Sequence, residues 1–201
     1  MKGIVRRRAV VASVVSAFAV LISPVIASAA DDTASTTINA TIASTISIST
    51  SGTVAIGVTP TPAGAATSND DTVSVSTNNA AGYNLTLSDS DTNTNLVNGG
   101  NNIAAHAGTF ASPSTLANNS WGYRVDGAGT FGAGPTAAET DQANLSETWA
   151  GVPSSAAPQQ LKSTGSTATA DETVVWYGVK VDTSKPNGLY TDQVTYTATT
   201  N

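Results

Sequence analysis

The sequence predicts an all-β protein with one antiparallel β-sandwich of about eight to ten strands. Three observations lead to this expectation. Apolar and polar residues alternate with a period of two in many short runs, which is the pattern of half-buried strands. Clusters of Gly, Pro, Asn and Asp separate these runs, and helical periodicity is scarce beyond the first thirty residues.

Residues 1–30 have the features of a secretory signal peptide. Lys2 and three arginines at 6–8 precede the apolar run "AVVASVVSAFAVLIS", which is shorter than the roughly 20 residues that span a bilayer. Small residues follow in "VIASAA", where we expect cleavage after Ala29 or Ala30. The sequence therefore predicts a signal-peptide helix, then a secreted domain over 31–201 without a membrane span.

The charge and the lack of cysteine limit what such a domain can bind. Removal of residues 1–30 leaves four basic against fourteen acidic side chains, a net charge of −10, which disfavours nucleic acid as a partner. With 0 Cys, neither disulfides nor thiolate metal sites can stabilise the fold. The domain must rely on its apolar core.

The first strand is predicted over 36–49, within "TTINATIASTISIST", where Ile38, Ile42, Ile46 and Ile48 fall on one face. A second strand, "TVAIGV", is predicted at 53–58. The prolines of "TPTPAGAATSNDD" then predict a loop over 59–71.

Two alternating runs, "TVSVSTN" and "YNLTLSD", are joined by "NAAG", and this predicts a β-hairpin with Gly82 at positive φ. "WGYRVD" at 121–126 is the clearest strand of the middle region, with weaker strands near Trp149 and Leu161. An irregular, loop-rich insert is expected around 127–172.

The end of the chain carries the strongest strand pattern. Apolar residues alternate from Val175 to Val181, the turn sequence "SKPNG" follows, and Tyr190 to Ala198 alternate with Thr and Gln.

Groups that could perform catalysis are few, so we expect a protein that is not an enzyme. His106 lies in a small-residue loop, and the glutamates Glu139, Glu147 and Glu172 lie in polar surroundings. The alternative is a secreted hydrolase built on the loops of 89–173, which would need His106 or Glu147.

One loop, "SDSDTNTNLVNGG", places the oxygen ligands Asp89, Asp91, Asn93 and Asn95 at alternate positions. Calcium loops begin in this way, but they have Gly at the sixth position and Glu at the twelfth, where this chain has Thr94 and Gly100. A calcium site and a solvated turn both remain open, and no other cofactor is expected.

Three tryptophans, Trp121, Trp149 and Trp176, have two interpretations. Exposed indoles could stack on sugars, which would indicate a carbohydrate-binding module. We favour burial, since a chain with 5% aromatic residues has few other large groups to fill its core.

The order of motifs resembles the spore-coat-U-like and fimbrial-subunit domains of secreted bacterial β-sandwiches. The matching pieces are "ATIASTISIST", "VSVSTNNAAGYNLTLSD", "WGYRVDG" and the final run, where Gly188, Tyr190, Asp192, Val194 and Tyr196 follow the family pattern. The chain departs from these families in having no Cys and in its long segment 127–172. It is also similar to cysteine-free surface proteins of ultrasmall host-attached bacteria.

This resemblance implies an Ig-like, pilin-like sandwich with a structural or adhesive role at the cell surface, as a fibre or coat subunit. In fimbrial subunits an N-terminal extension completes the sandwich of a neighbour. Residues 36–49, with Ile38, Ile42, Ile46 and Ile48, would be that donor strand, or they would pair within their own domain. The implied partners are further copies, other surface proteins, and a host-cell or glycan ligand.

Overall fold

The computed structural model describes residues 31–201, and the expected signal-peptide helix of 1–30 lies outside this range. The described residues form eleven strands and no helix. The strands are β1 (Ile46–Ser49), β2 (Ala65–Thr77), β3 (Tyr83–Asp89), β4 (Leu96–Asn98), β5 (Asn101–Ala105), β6 (Ser114–Thr115), β7 (Ser120–Val125), β8 (Thr148–Trp149), β9 (Gln159–Ser163), β10 (Ala168–Val181) and β11 (Val194–Thr200). Across 31–201 we find no helix with the length and apolar character needed to cross a membrane.

The strands form three sheets within the compact unit Ile42–Asn201. A six-stranded sheet has the order β1-β2-β10-β7-β5-β4, a three-stranded sheet has β11-β3-β9, and β6 pairs with β8. The all-β prediction is confirmed. The strands are not antiparallel throughout, because β5 and β7 pair in parallel through two residue pairs. Residues 106–119 between them supply the crossover that a parallel pair requires.

One apolar core joins the six-stranded and three-stranded sheets. Val73 and Val75 of β2 meet Leu85 and Leu87 of β3 in this cluster, and all four are 0% exposed. A smaller cluster on the other side of β10 holds Ala66, Leu116, Leu145, Trp149 and Trp176. Strand β10 is therefore buried on both faces over its C-terminal half, which explains the nearly continuous apolar run in its sequence.

The predicted hairpin of 72–89 is wrong, although both of its strands exist. β2 pairs with β1 and β10, whereas β3 pairs with β11 and β9, so the two strands lie in different sheets. Gly82 does have a φ of +82°, and a Cβ there would lie 2.3 Å from the carbonyl oxygen of Thr164. The turn carries the chain between sheets because both strands bury one face against the same core.

The first strand is much shorter than predicted. Residues 31–45 form no strand and are exposed, and β1 begins at Ile46, opposite Thr77. Strand β2 ends at Thr77, so the residues before Ile46 have no strand opposite them with which to pair. The side chain of Asn78 bonds to the backbone of these residues instead. Its Oδ1 accepts the Thr45 N–H at 2.8 Å, and its Nδ2 donates to the Ala43 carbonyl at 2.8 Å.

Residues 53–71 also differ from expectation. No strand is assigned at 53–58, although Val54, Ile56 and Val58 are half-buried against the main core while the residues between them are exposed. Alternation there reflects the burial of one face, not membership of a sheet. The loop predicted for 59–71 ends at Gly64, because residues from Ala65 onward pair with β10.

Candidate functional site

A groove of about 1260 Å³ opens on the main core. Its floor is formed by core side chains of β7 and β10, among them Trp121, Tyr177 and Val179. One wall is the unpaired segment 53–58, and the other consists of residues 185–193 and the start of β11. We call this feature the apolar groove. The three floor side chains are 4%, 5% and 7% exposed, so the groove lies directly over the main core.

Aromatic side chains make the floor of the apolar groove rigid. The rings of Trp121 and Tyr177 stack with centroids 6.4 Å apart and planes 25° apart, and the Trp121 Nε1–H donates to the Thr94 carbonyl at 2.9 Å. The hydroxyls of Tyr177 and Tyr196 lie 2.7 Å apart and so link the two sheets. Burial raises the pKa of both phenols, which keeps them neutral at physiological pH.

Two segments that line the apolar groove lie at the edge of a sheet or outside the sheets. Strand β11 is the edge strand of its sheet, and its residues Val194 and Tyr196 line the groove. Segment 53–58 also lines the groove and belongs to no strand, although its Ala55 carbonyl accepts from Asn69 Nδ2 at 3.0 Å. An edge with unpaired N–H and C=O groups is a template for another strand. The groove therefore combines an apolar floor with two edges that can form hydrogen bonds.

The predicted donor residues divide into two pairs. Ile38 and Ile42 are 89% and 86% exposed and lie in no strand. Ile46 and Ile48 lie in β1, where they oppose Thr77 and Val75 of β2. Ile46 and Ile48 of the predicted segment thus pair within their own chain. Ile38 and Ile42, which come before them, are exposed apolar side chains.

The four predicted calcium ligands follow the end of β3. Asp89 is completely buried, and its Oδ1 accepts the Asp91 N–H at 2.9 Å. Asp91 accepts the Asn93 N–H at 2.6 Å, and Asn93 Oδ1 accepts from Asn95 Nδ2 at 2.8 Å. These bonds form successive turns. Within residues 31–201, no group of three or more His, Asp or Glu side chains is arranged to hold a metal ion.

His106 is buried, and its contacts do not suit a general base. Its Nδ1 accepts the backbone N–H of Ala117 at 3.4 Å, so the proton of the neutral ring belongs on Nε2. Nε2 lies 2.9 Å from Ser114 Oγ and donates to it. In this tautomer the ring cannot take the hydroxyl proton of Ser114, as a nucleophilic serine would require.

The glutamates are also engaged in local structure. Glu147 forms an ion pair of 2.7 Å with Arg124, whose other bonds go to the carbonyls of Phe131 and Gly132 at 3.0 Å. Glu139 accepts from the backbone N–H and the hydroxyl of Ser146. Glu172 is exposed on β10. These carboxylates and His106 do not meet at a common centre in the described residues.

The three tryptophans are 4%, 0% and 5% exposed in chain order, so the expectation of burial is confirmed. They do not form an exposed platform for sugar rings. Trp121 borders the apolar groove, but one of its faces already stacks on Tyr177.

Sequence reasoning missed the apolar groove and the acidic residue Asp192 beside it. Asp192 lines the groove, and its carboxyl lies against Asp89 and Asp91, about a hundred residues earlier in the chain. The Tyr190-x-Asp192-x-Val194 pattern predicted a strand in this region. It gave no indication that Asp89 and Asp91 lie near Asp192.

Comparison with protein-family models, with curated proteins and with solved structures found no match in any of the three searches.

Proposed function

We propose that this protein is an exported structural or adhesive subunit of the cell surface, an Ig-like, pilin-like sandwich that assembles by strand addition. In each contact, residues 36–45 of one copy enter the apolar groove of a second copy. The partners are then further copies of this chain or related surface proteins. Such a fibre or coat could present its outer faces to a host cell or a glycan.

The observation that carries this proposal is the apolar groove itself. Its floor consists of core residues, and its lining includes the edge strand β11 and segment 53–58, which belongs to no strand. A small ligand would satisfy the apolar floor but not both edges. An extended peptide satisfies all three, since it adds hydrogen bonds along its backbone and buries alternate side chains.

The occupant is suggested by the pattern of residues 36–45. Ile38, Ala40 and Ile42 fall on one side of an extended chain and span about 14 Å at the rise of a β-strand. The two isoleucines are 89% and 86% exposed, which is costly for such large apolar side chains in water. Thr37, Asn39 and Thr41 alternate with them and would face solvent in the assembled state.

The test compares two double variants that add the same charge. Ile38→Asp with Ile42→Asp places carboxylates on the side that would enter the groove, and Thr37→Asp with Thr41→Asp places them on the opposite side. Size-exclusion chromatography with light scattering should show concentration-dependent oligomers for the wild-type protein and the threonine variant. The isoleucine variant should be monomeric.

A second pair of variants tests the groove. Ile56→Glu adds a charge on the half-buried side of the groove wall, and Thr59→Glu adds it at an exposed residue that follows this wall and does not line the groove. Binding of a synthetic peptide covering 35–49, measured by calorimetry, should be lost in the first and retained in the second. A wild-type protein that stays monomeric at all concentrations and binds no such peptide would overturn the proposal.

A further inference from the structure

A buried carboxylate oxygen at the end of β3 has no partner in the described residues. Asp89 is 0% exposed, and although its Oδ1 accepts the Asp91 N–H, its Oδ2 makes no hydrogen bond. Buried charges in proteins are normally paired or coordinate a metal ion. The free oxygen therefore lacks the donor or cation that a buried carboxylate normally has.

The side chain that Asp89 meets is another acid. The carboxyl of Asp192 lies within hydrogen-bonding reach of Asp89, and Asp91 is close enough to add its charge. Val194 lies opposite Asp89 in the ladder of β11 and β3, which brings Asp192 beside this end of β3. Asp192, which lines the apolar groove, and Asp89 thus form a pair of facing acids, and neither of the two ion pairs of the described residues includes them.

The backbone holds these acids together. The Ser90 N–H donates to the Gln193 carbonyl at 2.8 Å, which fixes the chain after Asp89 to the chain after Asp192. The Asp89 N–H donates to the Pro153 carbonyl at 2.7 Å, and the Ser155 N–H donates to the Asp91 carbonyl at 2.8 Å. Three segments that are distant in sequence meet here, so the carboxylates cannot simply move apart.

We propose that Asp89 and Asp192 bind a divalent cation of the Ca²⁺ type between their carboxylates, with Asp91 adding negative charge beside it. Ca²⁺ accepts six to eight oxygen ligands in flexible geometry, so two carboxylates can be completed by carbonyl oxygens and water. A proton would neutralise one of the three acids, whereas a divalent cation neutralises two charges. This site differs from the loop pattern of the sequence, since Asn93 and Asn95 bond to each other and Asp192 takes their place.

The site is tested with Ca²⁺ itself, on the purified protein after treatment with a chelator. Calorimetric titration with CaCl₂ at pH 7.5 should give a dissociation constant on the order of 0.1–1 mM, the range of extracellular calcium modules. At 10 mM CaCl₂ the melting temperature should rise by about 3 °C or more. MgCl₂ should give a smaller shift, because Mg²⁺ gives up its water reluctantly.

Asp192→Asn is the informative variant, because Asp192 is exposed and its loss should not unfold the protein. It should abolish the calcium-induced shift and should melt above the wild-type protein when no metal is present, because the facing charges are removed. Glu172→Gln removes an exposed charge on β10, outside the proposed site, and should keep the full calcium-induced rise in melting temperature. No shift in the wild-type protein, or an equal shift in Asp192→Asn, would overturn the proposal.

Discussion

Two buried polar side chains outside the acidic site, Arg124 and His106, hold neighbouring loops through hydrogen bonds. Arg124 is completely buried, and its guanidinium bonds to Glu147 and to two carbonyls of the loop that follows β7. Breaking such a pair by removing one partner leaves an uncompensated charge, so these contacts fix the loop 126–134 on the sheet. His106 acts similarly, because its two ring nitrogens connect Ser114 and Ala117 beneath β7. Both residues thus connect loops to the sheet.

The burial of His106 leads to a pH dependence. Burial lowers the pKa of His106 below its usual 6.5, and a hydrogen bond with Ser114 opposes this shift. Because the folded pKa is lowered, the stability from the neutral ring is complete above the unfolded pKa of 6.5 and is lost as the pH falls from 6.5 through the lower folded pKa. The free energy of unfolding of the wild-type protein should therefore decrease from pH 7.5 to pH 5.5 more than that of His106→Gln.

Urea denaturation at each pH measures this difference. Asp192 titrates in both proteins, so its contribution cancels when the two curves are subtracted. Curves that run parallel between pH 7.5 and pH 5.5 would show that His106 takes up its proton equally well in the folded and unfolded states.

Strand β10 carries the largest share of the packing between elements, because both of its faces are covered. Val175, Tyr177 and Val179 point into the main core, whereas Trp176 points into the smaller cluster. Gly178 lies between these residues, opposite Gly122 of β7. The glycine leaves room for the indole of Trp149, which covers the strand from the outer side.

Replacement of Gly178 should reveal how tightly this strand is covered. A Cβ at Gly178 would lie 2.9 Å from Leu145 Cδ1 and 3.0 Å from two ring atoms of Trp149. We expect Gly178→Ala to reduce the free energy of unfolding by about 1–3 kcal/mol, the usual cost of overpacking a core. Gly57→Ala is the matched control, because a Cβ at Gly57 meets nothing within 4 Å. Urea denaturation in which both variants match the wild-type protein would contradict the described packing.

At the level of elements, the sequence predicted strands better than it predicted their partners. β7 and the part of β10 from Val175 onward were predicted because alternation and branched side chains are local properties of the chain, whereas the start of β10 fell in the predicted loop-rich insert. The pairing of β2 was not predicted, because "NAAG" has the composition of a hairpin turn whether the next strand lies in the same sheet or in the other. The alternation of Val54, Ile56 and Val58 correctly predicted that one face of this segment is buried. It wrongly predicted a paired strand, because pairing requires an adjacent strand, which the local sequence does not reveal.

In the molecule as a whole, the two sites described here depend on contacts between distant segments. Asp89 could be proposed as a calcium ligand from its own loop, but its neighbour Asp192 comes from the start of the last strand. The apolar groove likewise arises from residues of β7, β10, β11 and segment 53–58 together. Its floor residues have the sequence pattern of ordinary core, and nothing local indicates that a groove opens above them.

The groove and the exposed N-terminal segment together determine what removing residues 31–41 should do. The compact unit begins at Ile42, and residues 31–41 are exposed, so the shortened protein should melt cooperatively within about 2 °C of the full-length protein. It should lose self-assembly, because Ile38 is gone, and it should still bind the peptide covering 35–49, because its own groove is intact. Scanning calorimetry, light scattering and peptide titration measure these three properties. A shortened protein that fails to melt cooperatively would show that residues 31–41 stabilise their own chain, and strand exchange between copies would then have no basis.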